Sequence, residues 1–335
     1  SSETTSSETT SSETTVQYQL TVNTDDRGSV SSTGGTYDSG SNISVSASAN
    51  SGSVFVNWTD SSGNVLSTNT TYSTQINADL TISANFVEIP KTYVPDDAFE
   101  QRLIDLGYDD VLDDYVYTND INNSNVYSLS MDWYQDLVDL TGLEDFTYLT
   151  YLSISGVFTS FSIPETLTSL NTLYIGTTPN LTSLSLSSTV LEQLSLTGTT
   201  GIGSTVDTSN LPNLRAYYDN NMSEETGITT LDFSNNPELL DLNIHHSQVS
   251  SLNISANNKL NAVLVYNTPL SGVFDISHLP ITADIRINNT QITCLKVRQE
   301  QLDKKDELLA SNSGGAGGTV GMWRLNDATV STTCD

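Results

Sequence analysis

The sequence predicts a mainly β chain: a repeat solenoid with capped ends, preceded by a small all-β domain. Three observations lead there. From Leu129 to Val297 a half-unit of the form L-x-x-L-x-L-x-x recurs, often followed by Asn. Ahead of it, from Val16 to Glu88, apolar residues alternate with polar ones and glycines punctuate the runs. A helix signal near Asp97 and two late cysteines mark the ends of the repeat region.

Residues 1–15 read SSETT three times. Without an apolar residue this segment cannot offset its ordering entropy, so a disordered stalk is expected. In residues 16–88 alternation runs through Tyr18-Leu20-Val22, Ile43-Val45-Ala47, Val54-Val56-Trp58 and Leu80-Ile82-Ala84-Phe86. Gly28, Gly34-Gly35, Gly40, Gly52 and Gly63 supply turn points. Trp58 is expected in the core. The opening YxLTV, the GxV and GxYxxG, the FxxW at Phe55–Trp58 and the closing IxANF at Ile82–Phe86 resemble divergent internalin-type B-repeat modules of bacterial surface proteins. That resemblance implies a small all-β spacer. Residues 89–128 read as linker and N-terminal cap. Asp97-Ala98-Phe99-Glu100 has the form of a capping box, Phe99, Leu103, Ile104 and Leu106 share a helical face, and Gly107 ends it.

Within residues 129–297 the apolar pairs Leu231/Phe233, Leu242/Ile244, Leu252/Ile254, Val263/Val265, Phe274/Ile276 and Ile285/Ile287 follow one another at steps of 11, 10, 11, 11 and 11. Leu152/Ile154, Phe161/Ile163, Leu173/Ile175, Leu184/Leu186 and Leu194/Leu196 hold the same beat upstream. Each pair fits a short strand with both apolar side chains inward. Two half-units then close a turn of 21 or 22 residues, within the leucine-rich-repeat range. Asn235-Asn236, Asn257-Asn258, Asn267 and Asn288-Asn289 are expected to form a buried side-chain ladder at the corners. Ile202 to Gly227 breaks the beat, with a small insertion at Met222–Thr226.

YVPDDAFEQRLIDLGYDD (Tyr93–Asp110), LVDLTGLEDFTYLTYLSIS (Leu137–Ser155) and LDFSNNPELLDLNI (Leu231–Ile244) resemble Bacteroidetes-type surface leucine-rich-repeat proteins. Thr293-Cys294, Trp323 and Cys334 look like that family's disulfide-closed C-terminal cap, here residues 298–335. Two features depart from the pattern. Arg298–Gly321 is long for the cap, and no sorting domain follows Cys334. The expected anchor is therefore a lipid on an N-terminus upstream of Ser1, making the chain an outer-membrane lipoprotein at the extracellular cell surface.

Composition narrows function by exclusion. The 335 residues hold 40 Asp plus Glu against 11 Lys plus Arg, a net charge of −29. Such a polyanion repels nucleic acid and anionic membrane surfaces. No apolar run is long enough to span a membrane. If paired, Cys294 and Cys334 would close a loop worth about 4 kcal/mol and point to an oxidising compartment. Of the three histidines, His245 and His246 are adjacent and would point to opposite sides of a strand, and His278 stands apart. Asp109-Asp110 and Asp113-Asp114 match no EF-hand spacing, and the GGAGG of Gly314–Gly318 lacks a following Lys. No cofactor, metal or catalytic constellation is expected, and hence no enzyme.

Alternate half-units should form two outward faces. One carries Ser160, Ser162, Ser183, Ser185, Asp207, Asp232, Asn253 and Asp275. The other carries Tyr151, Thr172, Tyr174, Gln193, Tyr218, Asp241, His245, Leu264, Tyr266, Asp284 and Arg286. Outward aromatics offer contact area at low entropic cost. The candidate ligand-binding residues are therefore Tyr151, Tyr174, Tyr218, His245, Leu264, Tyr266 and Arg286. The expected function is cell-surface recognition of a protein partner or adhesion by a monomer, with a glycan-binding surface lipoprotein as the alternative and a spacer without its own ligand as the second.

Overall fold

The structure is a computed structural model and describes residues 15–132, 136–220, 227–306, 323–325 and 328–334. The expected stalk (save Thr15), the insertion at Met222–Thr226 and the Gly314–Gly318 run lie outside the described residues. The chain divides into two compact units, Ser1–Pro90 and Lys91–Asp335.

The first unit contains β1 (Gln17–Asn23), β2 (Gly28–Val30), β3 (Gly34–Asp38), β4 (Ser41–Ala49), β5 (Ser53–Asp60), β6 (Val65–Ser67), β7 (Thr71–Ile76) and β8 (Leu80–Glu88). They form a five-stranded sheet, β3-β1-β8-β5-β6, and a three-stranded sheet, β2-β4-β7. Alternation puts Leu20, Val22, Ile43, Val45, Ile76, Ile82 and Phe86 inside, with Trp58 fully buried among them. One predicted face is corrected. A bulge between Phe55 and Asn57 shifts the parity of β5, leaving Val54 and Val56 45% and 39% exposed. The strands β2, β6 and β7 carry too few apolar residues to announce themselves by periodicity.

The second unit opens with β9 (Lys91–Tyr93), paired antiparallel with β10 (Tyr115–Tyr117), and with α1 (Asp97–Asp105) and α2 (Thr118–Ile121). The helix cap differs from the expected box. Asp96, not Asp97, is the N-cap, and its Oδ1 accepts from the amides of Ala98 and Phe99 at 3.0 Å. Its Oδ2 accepts from Val138 and Asp139, so one carboxylate ties the helix to the first solenoid turn. Glu100 is buried instead of reaching back, and its Oε1 accepts from the amides of Asp113 and Tyr115. Gly107, at φ 76°, ends the helix: its amide donates to the Ile104 carbonyl and that of Tyr108 to the Leu103 carbonyl. Phe99 stacks on Phe146 at 5.9 Å, closing the apolar interior.

The solenoid winds through about seven turns. Its main sheet has nine parallel strands: β11 (Ser128–Met131), β12 (Tyr151–Ile154), β14 (Thr172–Ile175), β16 (Gln193–Leu196), β17 (Ala216–Asn220), β19 (Asp241–His245), β21 (Ala262–Tyr266), β23 (Asp284–Asn288) and β25 (Trp323–Leu325). The second face is broken into three pieces. These are β13 (Ser160–Ser162) with β15 (Ser183–Ser185), β18 (Thr230–Asp232) with β20 (Ser251–Asn253), and β22 (Ser271–Asp275), β24 (Gln291–Lys296) and β26 (Thr329–Ser331). Leu152, Leu173, Leu194, Tyr217, Leu242, Val263 and Ile285 stack in register along the interior. Leu184 and Leu252 pack against the same core.

The stretch that breaks the sequence beat still contributes a strand, β17. It fills its interior positions with Tyr217 and Asp219, both buried, where the repeat has Leu or Ile. Tyr217 packs edge-on to Phe233 at 5.0 Å, and burial pushes its phenol well above the ordinary range, with Asp219 adding to the shift.

The asparagine ladder proves to be two ladders. The buried one uses Asn236, whose amide donates to Thr208 and Leu211 carbonyls, and Asn257, which donates to Phe233 and Asn236. His278, on Ile254 O, and Gln301, on Ile276 and Leu279, continue it. Asn267 and Asn289, expected in this buried ladder, instead join His246 at a corner where all three sit at left-handed φ of 54°, 51° and 51°. There His246 meets Asn267 at 2.7 Å and Asn289 meets Asn267 at 2.6 Å. Short polar side chains tolerate that backbone and satisfy it locally. At the C-terminal end α3 (Gln299–Asp303) begins after Arg298, and Cys294 of β24 is bonded to Cys334, with Cα atoms 6.0 Å apart.

Candidate binding face

Strand pairing sorts the outward residues of the nine-stranded sheet into three rows. The first holds Tyr151, Thr172, Gln193, Ala216, Asp241, Ala262 and Asp284. The second holds Ser153, Tyr174, Ser195, Tyr218, Asn243, Leu264 and Arg286. In the third, Asn220 of β17 lies beside His245, then Tyr266, then Asn288. A parallel sheet holds such neighbours about 4.8 Å apart, so side chains in one row support one another.

The seven candidate residues do not form one patch. Leu264 and Arg286 are direct neighbours, as are His245 and Tyr266. Tyr218 joins this group through Asn243. Tyr174 stands two strands from Tyr218, with the small, buried Ser195 between them. Tyr151, 36% exposed, sits in a different row near the N-terminal end of the sheet.

The C-terminal group is internally ordered. The rings of His245 and Tyr266 meet edge to face at 4.5 Å. Arg286 forks onto Asp284 with bonds of 3.0 and 2.6 Å, and hydrogen bonding to Asp284 holds its guanidinium above the ordinary range, with Tyr266 adding to it. The one cation of the patch is therefore already neutralised on its own strand. Burial keeps the Tyr218 phenol above its ordinary value, and Asp241 pushes the same way. Burial lowers the His245 imidazole, with His246 contributing, so the ring is neutral at physiological pH.

Asn220 and Asn243 were missed by the sequence reading. Their Oδ1 atoms and Nε2 of His245 are buried without a hydrogen-bond partner among the described residues. Asn243 occupies the middle of an L-x-I strand, so its outward position was readable from parity. Asn220 lay hidden in the stretch where the beat fails. These three atoms lie beneath the face, flanked by aromatic rings, so what the face offers outward is the half-buried side chains of Tyr218, Leu264, Tyr266 and Arg286.

Three carboxylates of the cap come together, only one of them, Asp114, from the two aspartate pairs noted in the sequence. Asp97, Glu100 and Asp114 bring one carboxylate oxygen each within 4.8 Å of one another. Glu100 already accepts two amides through Oε1, while Asp113 accepts the Tyr115 amide and meets Lys91 at 3.3 Å. Asp109 is raised by burial first, then by repulsion from Asp113 and Asp110. No helix among the described residues is long and apolar enough to cross a membrane.

Comparison with known proteins places a divergent InlB B-repeat domain over residues 18–90. No curated protein matches the chain by sequence. Among solved structures, internalin C2 of Listeria monocytogenes is similar at 18% identity over 60% of this chain and 87% of its own, with a TM-score of 0.41. The Listeria monocytogenes internalin-like protein lmo2027 shares 18% identity over 60% of this chain and 63% of its own, at 0.46. The functional domain of InlJ from the same organism shares 19% over 62% and 52%, at 0.36.

Proposed function

We propose that this chain is a surface-displayed recognition protein that captures a protein partner on the nine-stranded face, without making or breaking a covalent bond. One observation carries the reading. Tyr218, Asn243, His245, Leu264, Tyr266 and Arg286 stand on four consecutive strands as a laterally braced patch with two aromatic rings in edge-to-face contact. Bracing removes part of the entropic cost of binding, and aromatic and aliphatic side chains already held in place offer contact area to a partner. The disulfide and the B-repeat domain support an extracellular setting.

The test is binding of the labelled chain to intact cells and to a glycan array, before and after alanine replacement of Tyr174, Tyr218 and Tyr266 together. Replacement of Ser183 and Ser185 on the second face serves as control. Cell binding that falls more than ~10-fold in the tyrosine variant alone supports the reading, since buried aromatics dominate interface energy. Equal binding by both variants sinks it. Array binding that vanishes with the tyrosines replaces the protein partner by a sugar.

A further inference from the structure

The three-stranded sheet of the first unit ends in a strand whose outer side pairs with no described residue. β7 pairs only with β4, in the register Ser41↔Ile76 to Ser46↔Thr71. In an antiparallel ladder alternate residues turn both main-chain groups to the same side. Ala47 donates to Thr70 O and Gly40 to Ile76 O, so the even-numbered residues face β4. Thr71, Ser73 and Gln75 therefore present their N–H and C=O groups outward. All three residues are exposed, and no described residue bonds to those main-chain atoms.

Several other edges are short, glycine-broken or blocked. In β3 two glycines sit at φ 112° and 153° and the strand ends on Asp38, while β2 and β6 are three residues long. The edge of β11 is blocked where Arg102 Nε donates to Ser130 O at 2.7 Å. β7 reads TYSTQI, six residues with no proline, no charge and no bulge. Natural sheets avoid an edge of that kind unless it is used.

We propose that β7 pairs antiparallel with β7 of a second copy about a two-fold axis through Ser73, joining two three-stranded sheets into one. The pattern is self-complementary. With Ser73 opposite Ser73 of the second copy, Thr71 falls opposite Gln75, and every outward N–H meets an outward C=O. The hydroxyls of Thr71 and Ser73 already bond to Ser46 and Ser44, which holds the strand flat for docking. An uncharged edge matters in a chain of net charge −29, because it is where two copies can approach without opposed carboxylates. This inference is independent of the binding face and replaces the monomer expected from sequence.

Sedimentation equilibrium of the full chain should show a reversible dimer that tightens at high salt, where repulsion is screened. Ser73→Pro removes an outward donor and Ser73→Lys places like charges across the axis. Each should weaken self-association more than ~10-fold with thermal unfolding unchanged. Under oxidation, Ser73→Cys should cross-link, since hydrogen-bonded antiparallel pairs hold Cα atoms about 5.5 Å apart, whereas Gln75→Cys should not. A single species at every concentration, or equal cross-linking of the two cysteine variants, overturns the proposal. So does a chain that stays monomeric yet binds a synthetic TYSTQI peptide, which would give the edge to a foreign strand.

Discussion

On the nine-stranded face Tyr174, Tyr218, Leu264 and Tyr266 lean half-buried against their lateral neighbours, whereas on the second face the polar residues bend back onto their own chain. Asp207, Asp232, Asn253 and Asp275 each accept the amide of the serine two residues on, Ser209, Ser234, Ser255 and Ser277, at 2.9, 2.9, 3.1 and 2.9 Å. The acids that make this face look like a lure for cations therefore shape its corners. Both faces enclose one interior, yet one turns its polar groups back onto its own corners while the other sets rings and aliphatic side chains against their lateral neighbours. Position along a repeat does not by itself say whether an outward residue serves fold or partner; what its side chain already holds does.

The largest effect should come from the end of the second face. Replacing Cys294 and Cys334 by serine frees a 40-residue loop closed onto β24, and should cost about 4 kcal/mol in urea unfolding. A loss below 1 kcal/mol would mean that packing alone holds the cap. Next is the buried ladder that both faces share. Asn257→Ala strands the Phe233 and Asn236 carbonyls and should cost about 2 kcal/mol, with hydrogen exchange rising on both faces. Exchange confined to one face would show that they do not unfold as one body.

Smaller changes separate the faces. Tyr266→Ala removes the ring contact with His245 and should cost about 1 kcal/mol while abolishing cell binding. Asp232→Ala opens one corner turn, costs about 0.5 kcal/mol and leaves binding intact. A reversal of those binding outcomes would transfer recognition to the second face.

Acid should distinguish them as well. His245 is held below its ordinary imidazole value by burial, then by His246. Its stabilising contribution is present above about pH 6.5 and lost as pH falls through the folded value. Asp207 and Asp232 are lowered by their bonds to Ser209 and Ser234. For Asp275 burial acts upward, but bonds to Ser277 and the ion pair with Lys296 prevail and lower it. These carboxylates stabilise above about pH 3.9 and lose that contribution as pH falls through their folded values. A plot of Tm against pH should step first in mild acid, below about pH 6.5, and again in strong acid. His245→Gln should remove only the first step, and loss of both in that variant would contradict the assignment.

How much was legible varies by element. Leu242/Ile244 and Leu252/Ile254 announced two strands of one turn because an enclosed interior accepts only apolar pairs at that spacing. Tyr18-Leu20-Val22 announced β1 for the same reason. Asn267 and Asn289 were read as buried because sequence shows an asparagine after a strand but not the sign of its φ. Asp97 was read as the N-cap because Asp96 is chemically identical, and only the path back to Val138 selects between them. The binding patch was half legible: parity exposes Tyr218 and Leu264, while their partners depend on register.

The amino-acid order alone determined the class of fold, its interior and the outward position of most candidate side chains, because burial imposes a period that local residues must obey. Tertiary structure decided which outward residues became neighbours, that Arg286 is spent on Asp284, and that β7 pairs on one side only among the described residues. Those facts depend on hydrogen bonds between strands some 20 residues or more apart, which no local pattern encodes.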